Sequence, residues 1–428
     1  MIRSTIRTLA LCAVAVGAFS TAAPALAAPQ GKTGPVCKAE DGYAADFDGR
    51  RTFRWKPQWL KAAKTHLAAP SVAPAYKALL ARADKALDGP SYAVTEKTRV
   101  PPSGDKHDYI SMGPYWWPDP AQPTGEPYIR KDGEVNPERN TNAFDAVRMD
   151  SMASAVEALS LAYYFTDDAR YATKAAQLLR VWFLDPATRM KPSMSYAQGV
   201  PGRTLGRAEG VLDTFRLLRV VESIGLLAPS KALAPAEQKG LEAWFGDYVA
   251  WLGTGPAAKE ERAAQNNHGI WYDYQLATFS LFARRPDLAR TVIAEAGKTR
   301  IDPQIDPDGK MPKELARTRG LHYSYFALEP LVGLAELGPC VGVDLWGYKG
   351  PKGQGIRAAF DYLAPYVGDE AAFPYKELKP QDATDEALPL YDLAAAAYGD
   401  ASFAAKADFI AKKDPAAQSR LVIGAYRK

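Results

Sequence analysis

Residues 266–282 read NNHGIWYDYQLATFSLF, an apolar run at helical spacing that opens on two carboxamides and an imidazole. Apolar side chains that recur every three or four positions predict a helix with a buried face. Asn is favoured at the residue that begins a helix, so Asn267 is a candidate N-cap. The chain has only four histidines, and His268 lies inside this polar group. Asn266, Asn267 and His268 are therefore the first candidates for a functional site.

A second polar cluster, ELARTRGLHY, covers residues 314–323. It offers Arg317, Arg319, His322 and Tyr323 just before and inside another predicted helix. We expect the two clusters to form the two halves of one site.

Apolar periodicity predicts an all-α chain, because strand-like alternation is scarce and no strict repeat is present. We expect an (α/α) toroid of helical hairpins with long loops rich in proline and aromatic residues, and functional residues around a central groove. Helix stops are expected at Asp185-Pro186, Gly253 and Gly338-Pro339. The predicted helices cover 57–68, 73–87, 143–166, 168–183, 205–226, 234–253, 268–284, 286–299, 321–337, 354–366, 386–398 and 402–412.

The first 27 residues have the pattern of a signal peptide. Arg3 and Arg7 precede an apolar run from Leu9 to Phe19, and small residues end in Ala25-Leu26-Ala27. The run is too short to span a bilayer. We expect cleavage after Ala27, export to the periplasm or medium without a membrane anchor, and a single toroid domain over residues 28–428.

Charge and cysteine content limit the classes of partner. The chain has 53 Lys and Arg against 49 Asp and Glu, a net charge of +4, which falls to +2 when cleavage removes two arginines. This near-neutral balance argues against nucleic acid but allows a local basic groove for an acidic substrate. Cys37 and Cys340 would either pair in an oxidising compartment or remain unrelated thiols. The scattered His and Cys residues show no zinc signature, and no cofactor is expected. The oligomeric state stays open.

Two polar loops supply candidate substrate-binding residues. The loop 107–137 is too rich in proline for a helix and carries aromatic side chains that suit stacking on sugar rings. Those aromatics would otherwise pin the loop to the core. The loop 195–207 precedes a helix and is either a binding loop or the solvated basic edge of a helix start. The candidates are Tyr115, Trp116 and Trp117 in the first loop, and Tyr196, Gln198 and Arg207 in the second.

The paired clusters fit β-elimination on a uronic acid polymer better than glycoside hydrolysis, which needs two carboxylic acids flanking the bond. Loss of the C5 proton puts charge on the substrate carboxylate, which amide and imidazole donors would stabilise in the manner of an oxyanion hole. Tyr323 could remove that proton or protonate the departing O4. With a free pKa of about 10, only about 0.1% would be phenolate at neutral pH, so a nearby Arg317 would help. His322 is an alternative base.

Each of these residues also has a purely structural explanation. Trp271, on the same predicted helix, is either a core residue or a platform for a sugar ring. The structural alternatives are an N-cap for Asn267, a buried histidine for His268, a core residue for Tyr323 and an ion pair with Glu314 for Arg317.

At these residues the chain resembles the alginate lyase superfamily of (α/α)-toroid polysaccharide lyases. Asn266-Asn267-His268-x-x-Trp271 resembles that family's Asn-Asn-His-x-x-Trp motif, and Glu314-Leu-Ala-Arg317 with Leu321-His-Tyr323 resembles its Arg-to-Tyr segment. The resemblance spans roughly residues 105–340. It implies a toroid and metal-independent β-elimination, with Asn267 and His268 neutralising the carboxylate. It also implies that Tyr323 acts as base and acid, supported by Arg317.

The spacing departs from the alginate-specific pattern. Arg317 and Tyr323 are six residues apart, where alginate lyases have seven, and the six-residue spacing is similar to that of a sister group acting on glucuronan. Arg319 could therefore replace Arg317, and the polymer could be alginate, polymannuronate or glucuronan.

Two other classes of function compete. One is a toroid glycoside hydrolase with an acid pair such as Asp145 and Asp150, or Glu209 and Asp213. The other is a non-catalytic polysaccharide-binding protein.

Overall fold

The computed structural model describes residues 34–423, so the predicted signal peptide lies outside the described residues. From Pro35 onward the described residues belong to one compact unit. The helices are α1 Pro57–Thr65, α2 Ala73–Leu87, α3 Ala146–Thr166, α4 Ala169–Leu179, α5 Leu217–Leu227, α6 Pro235–Thr254, α7 Pro256–Ala263, α8 Asn267–Phe282, α9 Pro286–Ala296, α10 Asp302–Gln304, α11 Pro312–Leu315, α12 Gly320–Val341, α13 Ile356–Leu363, α14 Pro380–Asp385, α15 Leu388–Tyr398, α16 Ala401–Lys413 and α17 Ser419–Val422.

The helix α8 forms the centre of the molecule. Every residue of α8 except His268 is buried, as expected for a helix that is apolar on all sides. It packs against α12 and α9, while α3 packs against α4 and α5, and α15 against α16. Helices that follow one another in the chain therefore pair as hairpins, and the first residues of α8 reach the surface of a cleft.

Four short strands shape the loops around this cleft. The strands β1 Ile110–Met112 and β4 Tyr196–Gly199 pair in parallel, which joins the two polar loops. The strands β2 Trp116–Trp117 and β3 Ile129–Arg130 form an antiparallel pair inside the first loop. The loops are therefore fixed to each other by backbone hydrogen bonds.

Two sequence predictions about the helices were wrong, and some helices were not predicted. The helix α12 does not stop at Gly338-Pro339 but runs to Val341, where Gly342 ends it in the left-handed region. Proline removes one N–H donor without forbidding the last turn when packing holds it. The predicted helix 205–226 begins as a 3₁₀ segment, Ala208–Arg216. The helix α7 was missed, because half of its residues are charged and it has no long apolar stripe.

A buried carboxylate and a disulfide are among the contacts that hold the chain before α1 to the body. Glu222 on α5 accepts hydrogen bonds from the backbone N–H groups of Phe53, Arg54 and Trp55, the closest oxygen lying 3.1 Å away in each case. Cys37 and Cys340 form a disulfide. Of the two alternatives for these cysteines, pairing is the one found.

Removing the disulfide should destabilise the protein without changing its fold. The bond joins residues 303 apart, so it restricts the unfolded chain over a long loop. We expect Cys37→Ser combined with Cys340→Ser to lower the free energy of unfolding by about 2–5 kcal/mol, measured by urea denaturation. The reduced wild-type protein is the control and should match the variant. Equal midpoints for the oxidised wild type and the variant would contradict this.

Candidate active site

The two polar clusters line one cleft of about 700 Å³, a size typical of small-molecule sites. The first residues of α8 form one wall of the cleft, and the residues just before and at the start of α12 form a second wall. The two polar loops complete the cleft. Its predicted members are Asn266, Asn267, His268, Arg317, His322 and Tyr323 from the clusters, and Tyr115, Trp116, Gln198 and Arg207 from the loops.

Asn266, and not Asn267, caps helix α8. The Asn266 Oδ1 accepts a hydrogen bond from the His268 backbone N–H at 3.2 Å. Asn267 is the first residue inside the helix and is fully buried. The N-cap explanation for Asn267 is therefore wrong, and its amide is available for other contacts.

Glu314 holds that amide in place. Its Oε1 accepts from the Asn267 backbone N–H at 2.7 Å, and its Oε2 accepts from Asn267 Nδ2 at 2.6 Å. Burial raises the pKa of Glu314, and the two hydrogen bonds from Asn267 oppose that rise. The second Nδ2 hydrogen has no acceptor among the described residues, and the buried Oδ1 has no hydrogen-bond partner there either.

His268 is bound from behind by Glu261 on α7. The His268 Nδ1 lies 2.6 Å from Glu261 Oε1, and Glu261 is buried. Burial alone would lower the pKa of His268, but the charge of Glu261 and its hydrogen bond outweigh burial, so the pKa is raised. Gly269 allows the packing behind this point, because a Cβ there would lie 2.1 Å from the Ala264 carbonyl oxygen.

Tyr323 lies under a guanidinium and beside a second phenol. The Arg317 guanidinium carbon is 3.8 Å from the centre of the Tyr323 ring, and the Tyr323 hydroxyl is 2.7 Å from that of Tyr115. Burial raises the pKa of Tyr323, the neighbouring Tyr115 raises it further, and Arg317 lowers it. Arg317 thus acts in the expected direction, but burial outweighs it and the net pKa is raised.

Arg317, and not Arg319, is the arginine next to Tyr323. Its Nη2 lies 2.7 Å from Asp132 Oδ1, so its ion pair is with the long loop and not with Glu314, which was the structural alternative. Arg319 points instead to Glu377, with Nε 3.4 Å from Oε1, and does not line the cleft. The alternative that Arg319 supports Tyr323 is therefore not what the structure shows.

Gln198 orients Arg207 at the opposite wall. Its Nε2 donates to the buried Asp213 at 3.1 Å, and its Oε1 accepts from Arg207 Nη2 at 2.8 Å. Gln198 has a φ of 48°, which is uncommon for a residue with a side chain. The Arg207 Nη1 also pairs with Glu209 at 2.6 Å. The backbone at Gln198 is therefore strained, and the side chain of the same residue orients the Arg207 guanidinium in the cleft.

Three further predicted binding residues do not line this cleft. Trp271 is only 1% exposed and its Nε1 donates to the Phe326 carbonyl, so it is a core residue. Trp117 donates to the carbonyl of Glu134. Tyr196 lines a separate cavity of about 370 Å³. These three residues were predicted to line the cleft because the sequence does not show in which direction an aromatic side chain of a loop or a helix points.

The proposed hydrolase pairs do not present two carboxylates to the cleft. Asp145 is fully buried, 3.0 Å from Lys97 Nζ. Asp150 forms ion pairs with Arg216 and Arg219. Asp213 is buried beneath Gln198, which leaves Glu209 as the only member at the cleft.

Sequence reasoning missed Glu261 and Asp132. Glu261 lies in the charged stretch KEER, which resembles a solvated helix, and Asp132 lies in a Lys-Asp-Gly turn. Neither stretch gives a signal, because only the fold brings these carboxylates to His268 and Arg317. Within residues 34–423, no helix is long and apolar enough to cross a membrane, and no cluster of three His, Cys, Asp or Glu side chains could hold a metal ion.

Comparison with known proteins identifies the family. The alginate lyase family model matches residues 93–373, well over half of the chain. The chain belongs to the alginate lyase family. The resemblance of this chain to that family, which the sequence indicated, is thereby confirmed.

Individual relatives agree with this assignment. A crystal structure of an alginate lyase from Bacteroides ovatus is 38% identical with a TM-score of 0.85, over 88% of this chain and 100% of that one. Alginate lyase A1-III from Sphingomonas species A1 is 18% identical with a TM-score of 0.51, over 84% and 97% of the two chains, a likeness of fold alone. Together they confirm the predicted helical toroid.

The similarity to curated sequences is local. An alginate lyase of Pseudomonas aeruginosa is 31% identical over 157 residues, which is 36% of this chain and 40% of that protein. The alignments with the curated relatives thus span well under half of those proteins.

Truncating Glu314 should destabilise the protein through Asn267. Glu314→Ala leaves two buried donors of Asn267 without an acceptor, at about 1–3 kcal/mol each. We therefore expect a fall of about 2–6 kcal/mol in the free energy of unfolding, measured by chemical denaturation. Lys313→Ala, at the exposed neighbouring position, is the control and should change it little. An unchanged midpoint for Glu314→Ala would show that this carboxylate does not hold the amide.

Proposed function

We propose that this protein is a secreted polysaccharide lyase that cleaves a 1,4-linked polyuronate by β-elimination and leaves unsaturated uronate ends. The observation that carries the proposal is the meeting of Asn267, His268, Arg317 and Tyr323 in one cleft. Membership of the alginate lyase family supports the reaction class. Neither acid pair that the sequence suggested, Asp145 with Asp150 or Glu209 with Asp213, places both carboxylates at the cleft, which argues against hydrolysis by those pairs.

Neutralisation of the substrate carboxylate is the task of the α8 wall. Removing the C5 proton creates an enolate-like state with extra charge on the carboxylate oxygens. The spare Nδ2 hydrogen of Asn267 and a protonated His268 can both donate to those oxygens. Because both side chains are already fixed by buried partners, they need little reorganisation as the charge develops.

Proton transfer is the task of Tyr323. Its neutral phenol is the form favoured by burial, and that form can protonate the departing O4 oxygen. Removal of the C5 proton needs the phenolate, which the Arg317 guanidinium over the ring favours. The Tyr115 hydroxyl at 2.7 Å can donate to the same oxygen and stabilise that charge. One residue thus serves as base and then as acid.

The remaining walls suit a charged sugar chain. Arg130 and Arg207 can pair with carboxylates of neighbouring uronates, while Trp116 offers a ring for stacking. Mannuronate, guluronate and glucuronate all carry the carboxylate that these groups would bind. The substrate we propose is alginate, polymannuronate or glucuronan, without a metal or other cofactor.

Export and domain organisation remain part of the proposal. We infer a cleaved signal peptide over residues 1–27 and one toroid lyase domain over residues 28–428. The Cys37–Cys340 disulfide supports an oxidising compartment, since such bonds persist mainly outside the cytosol.

Tyr323→Phe should abolish turnover, because it removes the atom that carries the proton. Acid and base roles together correspond to a loss of at least about 10³-fold. Activity is measured as the ultraviolet absorbance of unsaturated uronate ends on polymannuronate, polyguluronate, glucuronan and hyaluronan. Product size on the preferred polymer separates endo from exo cleavage.

Tyr325→Phe is the matched control for this experiment. Tyr325 lies on the same helix, but its hydroxyl is buried against that of Tyr391 at 3.0 Å, outside the cleft. We expect this variant to keep its activity. Full activity of Tyr323→Phe would reject Tyr323 as the proton carrier, and binding without turnover by the wild type on every polymer would reject the lyase itself.

A further inference from the structure

Glu261 pairs with one nitrogen of the His268 imidazole, and the ring also faces the cleft. The Nδ1 nitrogen is 2.6 Å from the Glu261 carboxylate, while the other nitrogen, Nε2, makes no hydrogen bond to the described residues. Glu261 is only 2% exposed, whereas His268 lines the cleft. One end of the imidazole is therefore fixed inside the protein and the other is available to a substrate.

The protonation state of this pair decides what His268 can do. A neutral imidazole would donate its single hydrogen from Nδ1 to Glu261 and present a lone pair at Nε2. That lone pair would repel a substrate carboxylate and could accept a proton. A doubly protonated imidazole donates at both nitrogens, so it can bind the carboxylate but cannot act as a base.

We propose that Glu261 is a positioning residue that holds His268 as an imidazolium with its Nε2–H available to the substrate carboxylate. This assignment rests on the proposed lyase function and specifies how one of its groups works. A buried carboxylate without a cation is costly, so Glu261 favours the charged imidazole as strongly as the imidazole favours charged Glu261. In hydrolytic triads an acidic residue likewise orients a histidine and stabilises its charged form, although there the histidine first acts as a base.

The other charges around His268 do not replace Glu261. Glu209, from the 3₁₀ segment, and Glu314, from α11, also favour the imidazolium, whereas Arg207 opposes it. Of these, Arg207 and Glu209 are paired with each other at 2.6 Å, so their effects on His268 largely cancel. Glu314 is engaged with Asn267. The further charged or titratable groups lining the cleft are Arg130, Glu260, Arg317, His322 and Tyr323, with Tyr115 beside Tyr323.

The pKa of His268 tests the proposal without any substrate. We expect nuclear magnetic resonance titration of the ring nitrogens to give a pKa above the ordinary 6.5 in the wild type. In Glu261→Gln the pKa should be lower by about one pH unit or more, a tenfold change in the protonation equilibrium. Glu261→Asp keeps the charge and should retain most of the elevation. Few histidines need assignment, since the chain has only four.

Glu260→Gln is the matched control. It removes the same charge from the neighbouring position, where the side chain is exposed. We expect its effect on the His268 pKa to be much smaller than that of Glu261→Gln. Equal shifts in the two variants, or an unshifted His268 in Glu261→Gln, would overturn the proposal. If Glu261→Gln does not fold, a wild-type pKa at or below 6.5 would overturn it equally.

The pH profile of turnover separates positioning from a structural role. A raised pKa keeps His268 charged up to a higher pH, so the alkaline fall in kcat/KM should move to lower pH in Glu261→Gln. At pH 8 we expect a loss of about tenfold or more, mostly in kcat, because the substrate carboxylate gains charge in the transition state. At pH 5.5 the variant should approach the wild type. A loss that is equal at both pH values would show a structural role only.

The two measurements also separate this inference from the proposed function. If no polyuronate is cleaved, the lyase assignment fails while the titration still reports on Glu261. If cleavage occurs but the titration shows a neutral His268 near pH 7, the lyase stands and His268 becomes a candidate base.

Discussion

The bidentate contact between Glu314 and Asn267 is the constraint on which the cleft depends. Glu314 belongs to the segment that leads into α12 and Tyr323, and Asn267 is the first residue of α8. One buried carboxylate therefore joins the two halves of the site and sets the distance between them. Because a buried donor or acceptor without a partner is costly, the fold and the site are stabilised by the same contact.

The cleft is built by placing acidic side chains behind the groups that would meet an acidic substrate. Glu314 lies behind Asn267, Glu261 behind His268 and Asp132 behind Arg317. In a partly buried site each carboxylate favours the donor or charged form of its neighbour, and it also fixes the neighbour's geometry. The substrate carboxylate would thus meet donors that are already oriented.

The sequence predicted that the two polar clusters meet, but not the contacts between their residues. The helical character of most segments, the toroid and the family were predicted correctly, since they depend on local periodicity and on a short motif. The distinction between Asn266 as cap and Asn267 as cleft residue was not, because adjacent asparagines satisfy the same capping preference. The sequence also left Arg317 and Arg319 equivalent, whereas their partners Asp132 and Glu377 lie far away in the chain and separate them.

The sequence by itself determined the all-α architecture and brought Asn267, His268, Arg317 and Tyr323 forward as one chemical set, because helix periodicity and residue type are local properties. Only the tertiary structure decided that Trp271 faces the core, that burial outweighs Arg317 at the Tyr323 hydroxyl, and that Glu261 lies behind His268. The first two outcomes depend on which distant segments pack together and exclude water. The third depends on the turn between α7 and α8, which brings Glu261 back to a residue seven positions later.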